Sequence, residues 1–218
     1  MADGYTGRVE PGGPAAVREL AGLTVHKLSV GALDNNAYLL RCRSGRQLLI
    51  DAADQAGRLL ELAGPDGLDT IVTTHRHGDH HRALAALVAA TGARSLAHPA
   101  DAPGLPVRPE PVRDGDRVTV GDCELEVIHL TGHTDGSIAL LYREPGGPPH
   151  VFTGDSLFPG GVGSTGGDPA RFARLLGDVE EKLFARLPDD TWIYPGHGDD
   201  TTLGAQRPQL PQWRSRGW

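Results

Sequence analysis

The sequence predicts an α/β protein of the α+β kind, in which two strand-rich halves pack sheet on sheet and helices cover the outer faces. Three observations carry that reading. Each half runs several short strands, then a helix, then a strand again. No internal repeat of the length that marks a solenoid is present. Nothing between the halves resembles a flexible linker, since the Pro- and Gly-containing stretch 99–111 is short.

Residues 1–22 are polar and rich in Gly and Pro, and read as a loosely held arm ahead of one domain over residues 23–218. Three β-branched or aliphatic runs follow, 24–30, 37–42 and 47–50, separated by the turn-rich Asp34-Asn35-Asn36 and Arg43-Ser44-Gly45. Apolar residues at 56, 59, 60 and 63 have helical spacing and predict a helix over 55–63. A short strand over 69–74 runs into a His-rich loop. A second helix, with apolar positions 83, 84, 87 and 88, is predicted over 80–90, and 94–97 is a strand again. In the second half, strands fall at 117–120, 125–130, 138–142 and 150–153, then a helix at 169–187 and a last strand at 192–194. Pro169 suits a first helical turn, where its missing N–H is not needed.

Hydrophobic residues make up 39% and charged residues 22% of the 218, a mix that builds a core and is unlike that of a disordered chain. The net charge of −7 opposes nucleic-acid phosphates and anionic membranes. No apolar run approaches the roughly 18 residues of a membrane span, and the N-terminus lacks the basic start and apolar middle of a secretory signal. Cys42 and Cys123 fall in predicted strands, have no CxxC spacing and read as small buried hydrophobes. A reducing cytoplasm is the expected compartment.

Histidine carries the chemistry. Five of the 10 histidines fall in patterned positions. The run Thr74-His75-Arg76-His77-Gly78-Asp79-His80 offers four metal-ligand side chains in six residues. His75 and His77 alternate as in an extended segment, where i and i+2 point the same way. Asp79 and His80 lie where the next helix is expected to begin, so their turn aims them at a neighbouring point. Two ligand pairs aimed at two adjacent points suit a dinuclear site of Zn²⁺, Mn²⁺ or Fe²⁺, with no thiolate on offer. His133, Asp155 and His197 each follow a predicted strand, and each has Gly directly before it. His26, His81, His98 and His150 have no comparable motif and read as structural or solvated; His129, four residues before His133, is a candidate to support the metal ligands.

The strings THRHGDH, TGHT, FTGDSLF and YPGHGDDTT together resemble the metallo-β-lactamase superfamily, and within it the glyoxalase II-like branch, over about residues 24–203. The resemblance implies a four-layer αββα sandwich of two mixed sheets flanked by helices, with the site at one edge between the sheets. It also implies that His75, His77 and His133 hold one ion, that Asp79, His80 and His197 hold a second, and that Asp155 bridges them. Asp51 matches the family's first motif, a carboxylate that buttresses the metal loop, although on its own it reads equally as a strand-end turn residue.

Such a site implies hydrolysis of a small thioester or ester by hydroxide shared between two divalent ions, most readily Zn²⁺. Asp79 is the residue to orient that hydroxide or take its proton. No GxSxG nucleophile motif is present. Lactone or β-lactam hydrolysis at the same centre, or a mononuclear iron persulfide dioxygenase, are the alternatives. Two departures weigh against glutathione as the thiol carrier. Only 21 residues follow His197, where glyoxalase II has a glutathione-binding helical extension, and Phe158-Pro159-Gly160-Gly161-Val162-Gly163-Ser164 replaces a Gly-Cys-Gly-Arg stretch. The expected partner is a small molecule rather than nucleic acid or membrane. Phe158 and Tyr194 are the expected pocket walls, and the glycine-rich 160–167 is read as a substrate-covering loop. Trp213 and Trp218 are expected to dock on the body or on a second subunit, as in a homodimer.

Overall fold

A computed structural model describes residues 4–217. The first sheet follows chain order: β1 (Ala16–Glu19), β2 (Leu23–Val30), β3 (Asn35–Cys42), β4 (Gln47–Ile50), β5 (Thr70–Val72), β6 (Arg94–Ala97) and β7 (Glu110–Pro111). Its first four strands are antiparallel and its last four, from β4 onward, are parallel. The parallel crossovers carry α1 (Ala56–Ala63) and α2 (Leu84–Thr91).

The second sheet contains β8 (Arg117–Val120), β9 (Cys123–His129), β10 (Ile138–Arg143) and β11 (Pro149–Gly154). A small hairpin of β12 (Leu157–Phe158) and β13 (Gly161–Val162) follows, then α3 (Pro169–Val179). The chain re-enters the sheet as β14 (Trp192–Pro195) and β15 (Thr201–Thr202), and ends in α4 (Leu203–Gln206) and α5 (Leu210–Arg216). The order is β15-β14-β11-β10-β9-β8, with β14 parallel to β11 and the other pairs antiparallel.

Alternation along the strands separates three cores, because successive side chains leave a strand on opposite faces. Tyr38, Leu40, Leu48 and Ile50 meet Val118, Leu125, Val127, Leu140 and Phe152 between the sheets. Their neighbours Ala37, Leu39 and Leu49 turn outward onto Leu59, Ala63, Leu84 and Leu87 of the first helical layer. On the far side Ile128, Leu141 and Val151 pack against Phe172, Leu175, Leu176 and Val179 of α3. Two mixed sheets with helices on both outer faces make an αββα sandwich.

Several elements differ from expectation. Part of the arm is held in the sheet: residues 16–19 pair in register with Lys27 back to Thr24, since Val25 and Lys27 leave an edge that needs a partner. The second helix starts at Leu84 rather than 80, because residues 78–80 form a 3-10 turn that aims side chains into the site. The helix from Pro169 is capped by Asp168, which accepts hydrogen bonds from the N–H of Ala170 and Arg171, and it widens into a π-helical turn over Glu180–Phe184. The C-terminal helices were not expected. Trp213 docks on the chain's own body, 1% exposed and edge-on to Phe184; Trp218 lies outside the described residues.

Candidate metal centre

The seven candidate ligands sit at one end of the sandwich, on the loops that leave β5, β9, β11 and β14 at their C-terminal ends. Three overlapping trios offer ligand atoms within 4.8 Å of one another: His75, His77 and His133; His75, His80 and Asp155; and Asp79, His80 and His197. Asp155 lies between the outer two. Its Oδ1 is 3.3 Å from His80 Nε2, and its Oδ2 is 3.5 Å from His133 Nε2 and 3.6 Å from His197 Nε2. His75 and His80 are buried and His77 is exposed, so the cluster opens to solvent on the His77 side.

Local chain geometry makes this convergence possible. Gly154 has φ 47° and places its Cα where a Cβ would stand 2.6 Å from Thr74 Oγ1. A Cβ on Gly196 would overlap Asp155 Oδ1 and stand 2.7 Å from the His80 ring. The glycines ahead of Asp155 and His197 therefore let the loops close on one another.

The hydrogen bonds fix the tautomers. His133 Nδ1 donates to the Ser164 carbonyl (2.7 Å) and His197 Nδ1 to the Leu33 carbonyl (2.8 Å). His80 Nδ1 donates to Asp51 Oδ2 (2.9 Å). His75 Nδ1 donates to Thr74 Oγ1 (3.0 Å), whose own hydrogen goes to Asp51 Oδ2 (2.7 Å). In their neutral forms these four imidazoles present Nε2 lone pairs inward. Yet His80 Nε2 is 3.2 Å from His197 Nε2, and His133 Nε2 is 3.2 Å from His75 Nε2. Lone pairs facing at that distance repel unless a cation lies among them. Asp155 Oδ1, buried and without a hydrogen-bond partner, adds an orphaned acceptor. The donor set fits divalent metal ions.

The electrostatics of the cluster bear on the same imidazoles. Burial, reinforced by the neighbouring imidazoles, holds His75 well below the usual histidine range. Burial also lowers His77 and His133, against the pull of Asp155. For His80 burial again opposes the charge, but the carboxylates of Asp155 and Asp51 beside it overcome that and raise the pKa to about 10.

The metallo-β-lactamase superfamily domain matches residues 30–197. A hydroxyacylglutathione hydrolase of Fuscovulum blasticum is 40% identical over 179 residues, covering 80% of this chain and 67% of that one. The chain belongs to the metallo-β-lactamase superfamily, in its glyoxalase II-like branch. A second hydroxyacylglutathione hydrolase, from a Polaromonas species, is 38% identical over 172 residues and is covered to 63%, against 76% of this chain. The chain therefore spans about two thirds of the length of these relatives. Among solved structures of the superfamily fold, TTHA1623 in a di-iron-bound form is 34% identical with a TM-score of 0.69, over 83% of this chain and 96% of that one. ETHE1 from Myxococcus xanthus is 30% identical with a TM-score of 0.75, over 88% and 84%.

Around this superfamily site the structure adds residues that sequence reasoning passed over. Asp101, fully buried, accepts from Arg76 N (2.9 Å), Arg76 Nη1 (2.8 Å), Thr134 Oγ1 (2.5 Å) and Gly136 N (3.0 Å). One carboxylate thus ties the loop of His75 and His77 to the loop of His133. Its only sequence signal is an acidic residue shortly after a strand, which is too common to single out. Asn35, read as a turn residue, is 1% exposed; its Nδ2 donates to Asp79 Oδ2 (2.9 Å) and lies 3.3 Å from His197 Nε2.

Tyr194 does not wall a pocket: it is fully buried between the sheets, stacked on Phe152 at 4.5 Å and hydrogen-bonded to Arg18 and His150. Its position in the strand turns it to the inter-sheet face. Phe158 lies 6.4 Å, ring to ring, from His197 and borders a cavity of about 400 Å³ with Val162, Ser164 and Arg216. Within the glycine-rich stretch, a Cβ on Gly163 would overlap the Asp155 carbonyl oxygen, so this loop is packed onto the ligands. His129 does not support the ligands; it stacks on His98 at 4.1 Å and bonds the Asp135 carbonyl.

Proposed function

We propose that the chain hydrolyses a small thioester or ester at a dinuclear centre, with Zn²⁺ the ion best suited to imidazole and carboxylate donors and Fe²⁺ or Mn²⁺ as alternatives. The observation that supports this most is the pair of complete trios flanking one carboxylate, with four imidazoles committed at Nδ1 and facing inward at Nε2. When bound, two such ions acidify a shared water towards neutral pH and polarise the carbonyl under attack.

In this reading His75, His77 and His133 hold one ion, Asp79, His80 and His197 the other, and Asp155 stands between. Asp79 is also the proton acceptor. Burial alone would raise its pKa, but the Asn35 hydrogen bond and the His80 and His197 imidazoles hold it below the usual carboxylate range, so it is ionised at neutral pH. Its partial exposure leaves it open to the attacking water. No protein nucleophile is required. Cys42 closes the strand that Asn35 opens, seven residues and about 23 Å away at roughly 3.3 Å per residue. Leu33, 57% exposed and bonded to His197 through its carbonyl, and Phe158, 6.4 Å from the His197 ring, offer apolar surface to an acyl group.

The same reading places the chain in the cytoplasm, where two unpaired cysteines stay reduced. No helix among the described residues is long and apolar enough to cross a membrane. A mononuclear iron centre acting on a persulfide would leave the Asp79, His80 and His197 trio without a task, which favours the two-ion reading.

Elemental analysis, chelator stripping and refilling with Zn²⁺ or Fe²⁺, followed by thiol release from model thioesters and oxygen uptake with a persulfide, tests the proposal. Two ions per chain and thiol release restored by Zn²⁺ are expected. One iron per chain with oxygen consumption, or stripped protein as active as refilled protein, would sink it.

A further inference from the structure

Behind His197 lies a buried charge pair that the proposed chemistry does not use. The side chains of Lys27, in β2, and Asp200 are both 0% exposed, and Lys27 Nζ is 2.6 Å from Asp200 Oδ1. Nζ donates two further hydrogen bonds, to the carbonyls of Gly7 (2.8 Å) and Gly198 (2.7 Å). Asp200 Oδ2 accepts from the Tyr5 hydroxyl (2.7 Å) and the Trp192 indole (3.1 Å), and the Asp200 N–H donates to the Gly7 carbonyl (3.1 Å). Three segments distant in sequence, residues 5–8, β2 and residues 198–200, meet on one ammonium group.

Desolvation offsets much of the attraction in a buried ion pair, so stability alone is a poor account of it. Its geometry is more informative. All three ammonium donors meet acceptors in different directions, a task for which a planar guanidinium is unsuited. Only Lys27 and Lys182 are lysine among the 21 basic residues. The segment that carries His197 is pinned carbonyl by carbonyl: Pro195 by Tyr38 and Asn36, Gly196 by the Asn36 N–H, and Gly198 by Lys27 and Asn36. The His197 side chain is itself 26% exposed, more than its neighbours His80 and Asp155. Its ring is held by the Leu33 carbonyl at Nδ1, and its aim depends also on the backbone that Lys27 helps to hold.

We propose that the Lys27–Asp200 pair, anchored to the N-terminal segment through Gly7 and Tyr5, is the positioning device for His197 and so sets the affinity of the Asp79, His80 and His197 trio for its ion. The inference rests on the two-ion reading above. Residues 5–8 thereby belong to the architecture of the site.

The test is a calorimetric titration of the metal-free full chain with Zn²⁺ against a competing chelator, for wild type, Lys27→Met and Tyr5→Phe, with near-UV circular dichroism to check folding. Tyr5→Phe removes one hydrogen bond to Asp200 and keeps the ion pair. One class of site is expected to hold its affinity while the other weakens, by about tenfold or more in Lys27→Met and by less in Tyr5→Phe. Excess Zn²⁺ should restore kcat for Lys27→Met with KM unchanged. Two sites weakened equally, or unaltered affinities in folded Lys27→Met, overturn the inference while leaving the two-ion reading intact. If Lys27→Met does not fold, unaltered affinities in Tyr5→Phe overturn it. A wild-type chain that takes up one ion overturns the two-ion reading, and this inference with it.

Discussion

The carboxylate of Asp51 joins His80 to Thr74: Oδ2 takes the His80 Nδ1 hydrogen at 2.9 Å and the Thr74 hydroxyl hydrogen at 2.7 Å, while Oδ1 takes the Thr74 N–H at 2.7 Å. Since Thr74 in turn orients His75, one buried acid aims a histidine of each outer trio. Asp51 does this from a left-handed backbone conformation, φ 58°, which Asp and Asn tolerate better than other side chains. Asp51→Asn should therefore keep the backbone but lose an acceptor, weakening metal affinity by about 10–100-fold. Competition with a chromophoric chelator measures it; wild-type affinity would show that Thr74 and His80 orient themselves.

Asp101 clamps the two loops of the first trio from the opposite side. Truncating it by Asp101→Ala strands the N–H groups of Arg76 and Gly136 and takes the nearer carboxylate from the Arg76 guanidinium. A buried partner removed from an ion pair costs about 3–5 kcal/mol. Arg76 keeps a 3.4 Å contact with Asp135 and is partly exposed, so the lower end is expected. Denaturant melts of metal-free protein provide the measurement. A loss under about 1 kcal/mol would mean that Thr134 and Ser137 hold the loop unaided.

Proton and metal compete for His80. Its pKa of about 10 in the metal-free protein lies above the ordinary 6.5, so below pH 10 the ring carries a proton that an arriving ion must displace. Affinity should accordingly rise with pH, about tenfold per unit between pH 7 and 9 for one displaced proton. Calorimetry in two buffers of different ionisation enthalpy should report about one proton released per chain. A pH-independent affinity over that window would place the proton elsewhere.

The ligand motif and the main strands were legible because each has a local signature. Metal ligands need particular side chains at strand ends, and runs such as Gln47–Ile50 state their own conformation. The two-residue strands β7, β12, β13 and β15 are too short to show any period. The terminal helix α5 is fixed by what Trp213 packs against, which no window of sequence contains. Asp101, Asn35 and Lys27 escaped for the same reason. Their partners lie 20 to 173 positions away, at Gly7, Arg76 and Asp200 among others, so only the folded chain shows their work. Tyr194 misled by proximity to His197 in sequence, where the pleat turns it inward.

Phe158 is the proposed apolar wall next to His197, on a two-residue strand at the edge of the small cavity. Phe158→Ala would widen the cavity without touching a ligand. KM for a bulky acyl thioester should rise several-fold while kcat changes less than about twofold, the pattern of lost uniform binding. Steady-state kinetics on acyl chains of graded length tests this. Unchanged KM across the series would remove Phe158 from the substrate path.

Asp79 combines two roles in the proposed chemistry, ligand and proton acceptor, and Asp79→Asn can separate them. The amide retains the shape of the carboxylate and stays near Asn35, His80 and His197, which lie 2.9, 3.6 and 3.4 Å from Oδ2. It cannot accept a proton at neutral pH. With Zn²⁺ in excess, so that both trios are filled, kcat should still fall by about 10²-fold or more, the usual range for loss of a general base. Metal content measured on the same sample shows whether filling was achieved. Full kcat at full occupancy would reduce Asp79 to a ligand and move proton transfer to solvent or to Asp155, whose pKa is held low against burial by His80, His197 and His133.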